Sequence, residues 1–87
     1  MKGLVKSDNN PVEYANVFLT LQNDTTKIIT GVVTDSLGAF LLENLPVENY
    51  LLNIHMIGFT PRKTAISISQ GGELIDLHEV MLQPDAH

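Results

Sequence analysis

The chain of 87 residues contains no cysteine and no tryptophan, and it has few basic residues. Without cysteine it can form neither a disulfide nor a thiolate metal site, so its stability must come from apolar packing and backbone pairing. Five Lys and Arg residues against ten Asp and Glu residues give a formal net charge of −5. Because phosphate binding needs clustered basic side chains, this balance argues against a nucleic-acid partner.

Long apolar runs are also missing, although 44% of the residues are hydrophobic. No run approaches the ~20 residues of a membrane-spanning helix. Residues 1–6 lack the apolar stretch of roughly 7 to 15 residues that a secretory signal requires. The length fits one domain with a modest core. We therefore expect either a cytoplasmic protein or a domain excised from a longer exported protein, and the strand pattern that begins at Met1 favours the second.

Apolar residues recur at every second position, which is the period of a half-buried strand and not of a helix. Together with a short opening strand, the pattern predicts about seven strands with loops every 8 to 12 residues or so, the layout of a β-sandwich. The predicted inward rows are Ala15, Val17, Leu19 and Leu21; Ile29, Gly31 and Val33; Phe40 and Leu42; Tyr50, Leu52, Ile54 and Met56; Thr64, Ile66 and Ile68; and Ile75, Leu77, Val80 and Leu82.

Several residues predict local backbone features. Asp35 and Gly38 occupy the first and last positions of a predicted turn. Pro61 cannot donate a ladder hydrogen bond, so it belongs at a sheet edge or a strand start. A phase shift near His78 and Glu79 indicates a β-bulge in the last strand. Tyr50 is predicted to be a core residue whose hydroxyl bonds to the backbone.

The order and spacing of short segments carry a resemblance that spans nearly the whole chain. These segments are Gly3-Leu4-Val5, residues 11–17, Thr34-Asp35 with Gly38 and Phe40, Asn44-Leu45-Pro46, Tyr50-Leu51-Leu52 and Ile57-Gly58-Phe59. The chain resembles the carboxypeptidase regulatory-like domain family, and is most similar to the copies that precede the barrel of TonB-dependent outer-membrane receptors in Bacteroidetes-type bacteria.

That resemblance implies an all-β fold: a seven-stranded antiparallel or mixed β-sandwich with Greek-key connections, of the transthyretin-like (prealbumin-like) type. Residues 1–83 would form the domain, and residues 84–87 would begin a linker or end the excised piece. Two positions depart from the family pattern. Asn49 replaces the usual glycine before Tyr50, and we expect it to adopt the left-handed backbone that asparagine tolerates. Phe59 replaces a tyrosine, which keeps the packing and removes a hydroxyl.

No constellation of side chains predicts catalysis. His55, His78 and His87 lie on different segments and lack the spacing of zinc ligands. Asp35 is explained by its turn, and Ser36 and Ser67 have no neighbouring His and Asp that would activate a nucleophile. We therefore predict no enzyme, no cofactor and no catalytic, cofactor-binding or metal-binding residue.

Three functions remain open. The resemblance favours a non-catalytic periplasmic accessory domain at the outer membrane that mediates interdomain or protein contacts during uptake of a nutrient such as a glycan. Its partners would be the outer-membrane β-barrel of the same chain and other envelope proteins. A carbohydrate-binding module would need the aromatic residues Tyr14, Phe18 and Phe59 to cluster on one sheet face. The third candidate is the accessory folding domain of a secreted zinc carboxypeptidase. An exposed edge strand would favour a partner that adds a strand by β-augmentation.

Overall fold

A computed structural model of the chain describes residues 1–72 and 74–85. These residues form eight strands and no helix, so they include no helix that could cross a membrane. The strands are β1 (Lys2–Ser7), β2 (Asn10–Pro11), β3 (Asn16–Leu21), β4 (Asp24–Val33), β5 (Ala39–Leu41), β6 (Glu48–His55), β7 (Arg62–Ile68) and β8 (Asp76–Met81). The all-β sandwich is confirmed. The additional strand is the two-residue β2.

One sheet, which we call the β1 sheet, is built around the opening strand. Strand β8 runs parallel to β1 along one side, with Val5 opposite Val80. Strands β5 and β2 are antiparallel to β1 and share its other side, because β5 pairs with the first half of β1 and β2 with its last two residues. The single parallel pairing makes this sheet mixed.

The other sheet, which we call the β3 sheet, has the order β4-β3-β6-β7 and is antiparallel throughout. Val17 lies opposite Val32 of β4 and Ile54 of β6, and these three positions face the β1 sheet. Phe18 lies opposite Gly31 and Asn53, and this row faces away from it. Strands β4 and β7 are therefore the two edges.

The core lies between the two sheets. Every predicted inward row outside β4 is buried or half-buried, so the period-two prediction is confirmed for those strands. The buried apolar residues are Met1, Val5, Val12, Ala15, Val17, Leu19, Phe40, Leu42, Leu45, Tyr50, Leu52, Ile54, Ile66, Ile68, Val80 and Leu82.

The predicted facing of β4 is wrong. Ile29, Gly31 and Val33 are exposed, whereas Val32 packs against the core. The strand has apolar residues at both odd and even positions, so its alternation does not specify a face. The pairing of Val32 with the buried Val17 decides it, and a register shift beside Ile29 changes the alternation again.

The prediction for Asn49 is also wrong. Asn49 is an extended residue of β6 opposite Ser67, whose hydroxyl donates a hydrogen bond of 2.9 Å to Asn49 Oδ1. The left-handed asparagine in this region is Asn44, with a φ of 58°. The connection from β5 to β6 takes its left-handed backbone at Asn44, and β6 already begins at Glu48.

The other local predictions are confirmed. Asp35 Oδ1 accepts hydrogen bonds of 2.9 Å from the N–H groups of Leu37 and Ala39, and Gly38 adopts a φ of 75°. Pro61 immediately precedes the edge strand β7. His78 has a φ of 56° at the β8 register shift, which is the expected bulge. The Tyr50 hydroxyl donates a hydrogen bond of 2.8 Å to the Pro46 carbonyl.

Candidate functional site: the outer faces and the edges of the two sheets

The histidines do not come together. His55 is exposed on the outer face of the β3 sheet, His78 forms the bulge of β8 in the other sheet, and His87 lies outside the described residues. Within residues 1–72 and 74–85, no three His, Cys, Asp or Glu side chains are grouped as the ligands of a metal ion would be. The serines also have structural settings: Ser36 lies in the Asp35 turn and Ser67 bonds to Asn49.

The aromatic residues are dispersed. Tyr14 is 66% exposed in the link before β3, Phe18 is half-buried on the outer face of the β3 sheet, and Phe59 is half-buried beside Pro84. Phe18 and Phe59 line separate grooves. These side chains do not form the single flat platform on which a sugar ring would stack.

A shallow groove of about 640 Å³ crosses the outer face of the β1 sheet. Its lining includes the apolar Leu4 and Leu41, the basic Lys2 and the acidic Asp35, Asp76 and Glu79. Lys2 lies opposite Asp76 in the β1–β8 register, and the Lys6 ammonium is 3.2 Å from a Glu79 carboxylate oxygen. The lining is acidic on balance, but Glu79 is paired with Lys6 and the Asp35 carboxylate accepts backbone hydrogen bonds within its own turn.

Asp76 also holds the bulge. Its carboxylate accepts a hydrogen bond of 2.9 Å from the His78 N–H. This bond is the main cause that lowers the pKa of Asp76, with smaller contributions from the charges of His78 and Lys2. The hydrogen bond between Asp76 and His78 therefore stabilises the bulged backbone of β8.

The outer face of the β3 sheet has a different character. The Phe18 ring meets the His55 ring edge-on, with the ring centroids 5.0 Å apart and the planes at 71°. A groove of about 390 Å³ runs beside them, and its lining includes Ile28, Gly31 and Val33 of β4. Ile28 is 63% exposed and Val33 is 53% exposed. This surface is apolar and lies next to a sheet edge.

Two polar residues are buried beneath that outer face. Thr20 and Asn53 both point outward from the sheet, yet they are almost inaccessible. The Asn53 amide donates a hydrogen bond of 3.0 Å to the Leu51 carbonyl and lies 3.4 Å from the Thr20 hydroxyl. No buried side-chain N or O atom in the described part of the chain lacks a hydrogen-bond partner. The polar layer is closed, and it presents no unsatisfied group to a ligand.

The sheet edges differ in how they are protected. Strand β7 begins after Pro61 with Arg62 and Lys63, and β8 carries acidic residues and a bulge. Strand β4 has ten residues, and only Lys27 is charged within residues 25–33. Charges, proline and short length are the usual means of preventing edge-to-edge pairing. Of the edges in the described residues, β4 is the longest, and its segment of residues 30–33 pairs regularly with β3 and carries no charge, proline or register shift. This segment is the exposed edge that favours strand addition.

The family model of the carboxypeptidase regulatory-like domain matches residues 1–82 of the chain. The match includes all eight strands, from Lys2 to Met81. No curated protein has a sequence significantly similar to this one.

Proposed function

The chain belongs to the carboxypeptidase regulatory-like domain family, whose members are non-catalytic accessory β-sandwiches, and on this basis we propose that it is an accessory domain that makes protein contacts within a larger exported protein. The observation that carries the proposal is the unprotected edge of β4 beside the apolar groove of Phe18 and Val33. Such a surface suits contact with another polypeptide, since an added strand gains backbone hydrogen bonds and apolar burial together.

We further propose that the host protein is a TonB-dependent outer-membrane receptor or a related β-barrel protein. In this arrangement the domain lies on the periplasmic side and contributes to nutrient uptake, plausibly of a glycan. The support is the resemblance of this chain's short motifs, such as Ile57-Gly58-Phe59, to those of receptor-attached copies of the domain.

An immunoblot of fractionated source cells tests the host and its location. An antibody raised against the domain should detect a band much larger than 9.6 kDa in the outer-membrane fraction. Cells that lack the coding region serve as the control for antibody specificity. A small soluble or secreted band would contradict the proposal and would direct attention to glycan-binding and peptidase assays.

An in-frame deletion tests the accessory role. Removing residues 1–83 from the host protein should leave its amount in the outer membrane unchanged and should reduce growth on the transported nutrient. Loss of the host protein from the membrane would assign the domain to assembly instead, and unchanged growth would show that it makes no contribution to uptake.

A further inference from the structure

The backbone of β4 has hydrogen-bonding groups that point away from its own sheet. The Thr34 N–H donates to the Ala15 carbonyl at 3.0 Å, and the Thr34 carbonyl accepts from the Tyr14 N–H at 3.0 Å, so Thr34 faces the β3 side. In an antiparallel ladder this orientation alternates along the strand. Val32 therefore also bonds towards β3, whereas the N–H and C=O groups of Gly31 and Val33 face the open side.

The close approach of Gly31 to Phe18 agrees with this assignment. A Cβ atom built on Gly31 would lie 3.1 Å from Phe18 Cβ and 3.2 Å from the Val17 carbonyl oxygen. Directly opposite residues approach each other more closely in the non-hydrogen-bonded pairs of an antiparallel ladder than in the hydrogen-bonded pairs. The backbone groups of Gly31 are then not used by β3.

Gly31 also leaves a notch in the outer face of the sheet. Phe18 borders the notch on the side of β3, and a side chain on Gly31 itself would be too close to Phe18 and Val17. A side chain that comes from a strand added beside β4, directly opposite Gly31, would enter the notch from the open side. There it would contact the half-exposed Phe18 ring.

Resting on the proposed use of the β4 edge for a protein contact, we propose that the added strand is β4 of a second copy of the chain. The two β4 strands pair antiparallel about a two-fold axis at Val32, so that Val33 of each copy lies opposite Gly31 of the other. Each Val33 side chain fills the notch of the other copy. The outward-facing backbone groups of Gly31 and Val33 bond to one another across the axis, and the two β3 sheets become one continuous sheet.

The choice of a second copy rests on self-complementarity. The valine that fills the notch and the glycine that creates it are two residues apart on one strand, which is the arrangement that an isologous contact needs. The charges agree: residues 25–34 contain no acidic residue, although the chain carries a net charge of −5.

The mass in solution is the first test. Sedimentation equilibrium or native mass spectrometry should show a dimer, twice the 9.6 kDa of the chain. Val33→Lys should weaken association at least tenfold, because a charged side chain does not fit the apolar notch. Val47→Lys is the matched control, since Val47 is also a surface valine, 58% exposed against 53% for Val33. It should leave association unchanged.

Far-UV circular dichroism confirms that both variants are folded, as expected for exposed positions. A monomer at every concentration up to about 1 mM, the weak end of measurable association, would overturn the proposal. So would a dimer that Val33→Lys leaves intact, or open-ended assemblies in place of a closed dimer.

Cysteine cross-linking tests the register without relying on a destabilising variant. The chain has no cysteine, so any disulfide formed by a single-cysteine variant joins two copies. Val32 faces its own counterpart in a close, non-hydrogen-bonded pair, a separation that a disulfide can bridge. Val32→Cys should therefore cross-link faster than Val33→Cys, although Val33 is the more exposed residue. The reverse order would contradict the register.

Hydrogen exchange of the wild-type chain gives a third measurement. The amides of Gly31 and Val33 should exchange more slowly at high protein concentration than at low concentration, because only the dimer pairs them. The Val32 amide bonds within the sheet in both states and is the internal reference. Exchange at Gly31 and Val33 that is independent of concentration would overturn the proposal.

Discussion

At the scale of single residues, Thr34 connects the end of β4 to the link between β2 and β3. Its hydroxyl donates a hydrogen bond of 2.7 Å to the Val12 carbonyl and accepts one of 2.9 Å from the Ala15 N–H. The side chain is fully buried. Both backbone groups lie in the link between β2 and β3, where no neighbouring strand satisfies them. The Thr34 hydroxyl therefore makes the two hydrogen bonds that a neighbouring strand would otherwise supply.

Thr34→Val should lower the free energy of unfolding by about 2–4 kcal/mol, because it leaves a buried donor and a buried acceptor unpaired while keeping the shape of the side chain. Urea denaturation followed by circular dichroism measures this. Thr34→Ser is the control, since it keeps the hydroxyl and removes one methyl group, at a cost of about 1 kcal/mol. Equal losses in the two variants would assign the role of Thr34 to packing.

Tyr50 combines a buried ring with one hydrogen bond, to the Pro46 carbonyl. Tyr50→Phe should destabilise the fold by about 0.5–1.5 kcal/mol, the usual net value of such a bond. Tyr14→Phe is the matched control on an exposed tyrosine, and we expect a change within about 0.5 kcal/mol. A Tyr50→Phe variant as stable as the wild type would show that the hydroxyl bond makes no net contribution.

The same tyrosine makes stability depend on alkaline pH. Burial, and secondarily the Glu48 carboxylate, raises the pKa of Tyr50 above its ordinary value. Between the pKa of the unfolded chain, about 10, and the higher folded value, only the folded state keeps the proton, so stability falls as the pH rises through this window. Urea denaturation at pH values from about 8 to about 12, on either side of the tyrosine pKa, measures this dependence. The free energy of unfolding should fall less steeply with pH for Tyr50→Phe than for the wild type.

At the scale of elements, the turn between β4 and β5 brings its backbone against β1. The Gly38 carbonyl accepts a hydrogen bond of 2.7 Å from the Val5 N–H, and Gly38 has a φ of 75°. A Cβ atom at this position would collide with the Val5 carbonyl oxygen. The glycine is therefore required for both the left-handed backbone and the close approach of two segments.

Gly38→Ala should destabilise the fold by about 3 kcal/mol or more, since strain and collision add. Gly58→Ala separates the two effects: Gly58 also has a positive φ, 89°, but a Cβ there meets no atom within 4 Å. Its expected cost is about 1–2 kcal/mol, the left-handed strain alone. Thermal unfolding of the two variants compares them, and similar losses would show that the contact with Val5 relaxes.

Strand β4 shows why an element can be predicted to exist while its orientation is not. Its β-branched residues Ile28, Ile29, Val32 and Val33 favour an extended backbone at every position. The same residues supply apolar side chains to both faces, so the pattern that oriented β3 and β6 is absent here. The edge position and the register shift beside Ile29, which depend on β3, decide what the strand exposes.

At the scale of the whole molecule, both sheets contribute side chains to one continuous core. Val5 and Val80 of the β1 sheet belong to the same buried cluster as Leu19 and Leu52 of the β3 sheet. The β1–β8 pairing also joins the opening strand to the last one. Neither sheet can bury its inner face without the other.

We therefore expect cooperative, two-state unfolding. Amides of the β1 sheet, such as Leu82, and amides of the β3 sheet, such as Leu52, should exchange with the same free energy of opening under native conditions. The near-ultraviolet tyrosine signal and the far-ultraviolet backbone signal should also change at the same urea concentration. Separate transitions would show that one sheet persists without the other.

The class of the fold and the local backbone features could be predicted from the amino-acid sequence, because they depend on residues that are neighbours in the chain. The alternation of apolar residues predicted the inward faces of β3 and β6. Asp35 and Gly38 predicted a turn, and the phase shift at His78 predicted a bulge. Short ordered motifs also identified the family. Tertiary structure decided the outward face of β4, the two-residue strand β2, the extended backbone of Asn49 and the bridging role of Thr34. Each of these depends on which distant segment supplies a hydrogen bond or covers a side chain, and such long-range pairing leaves no local pattern in the sequence.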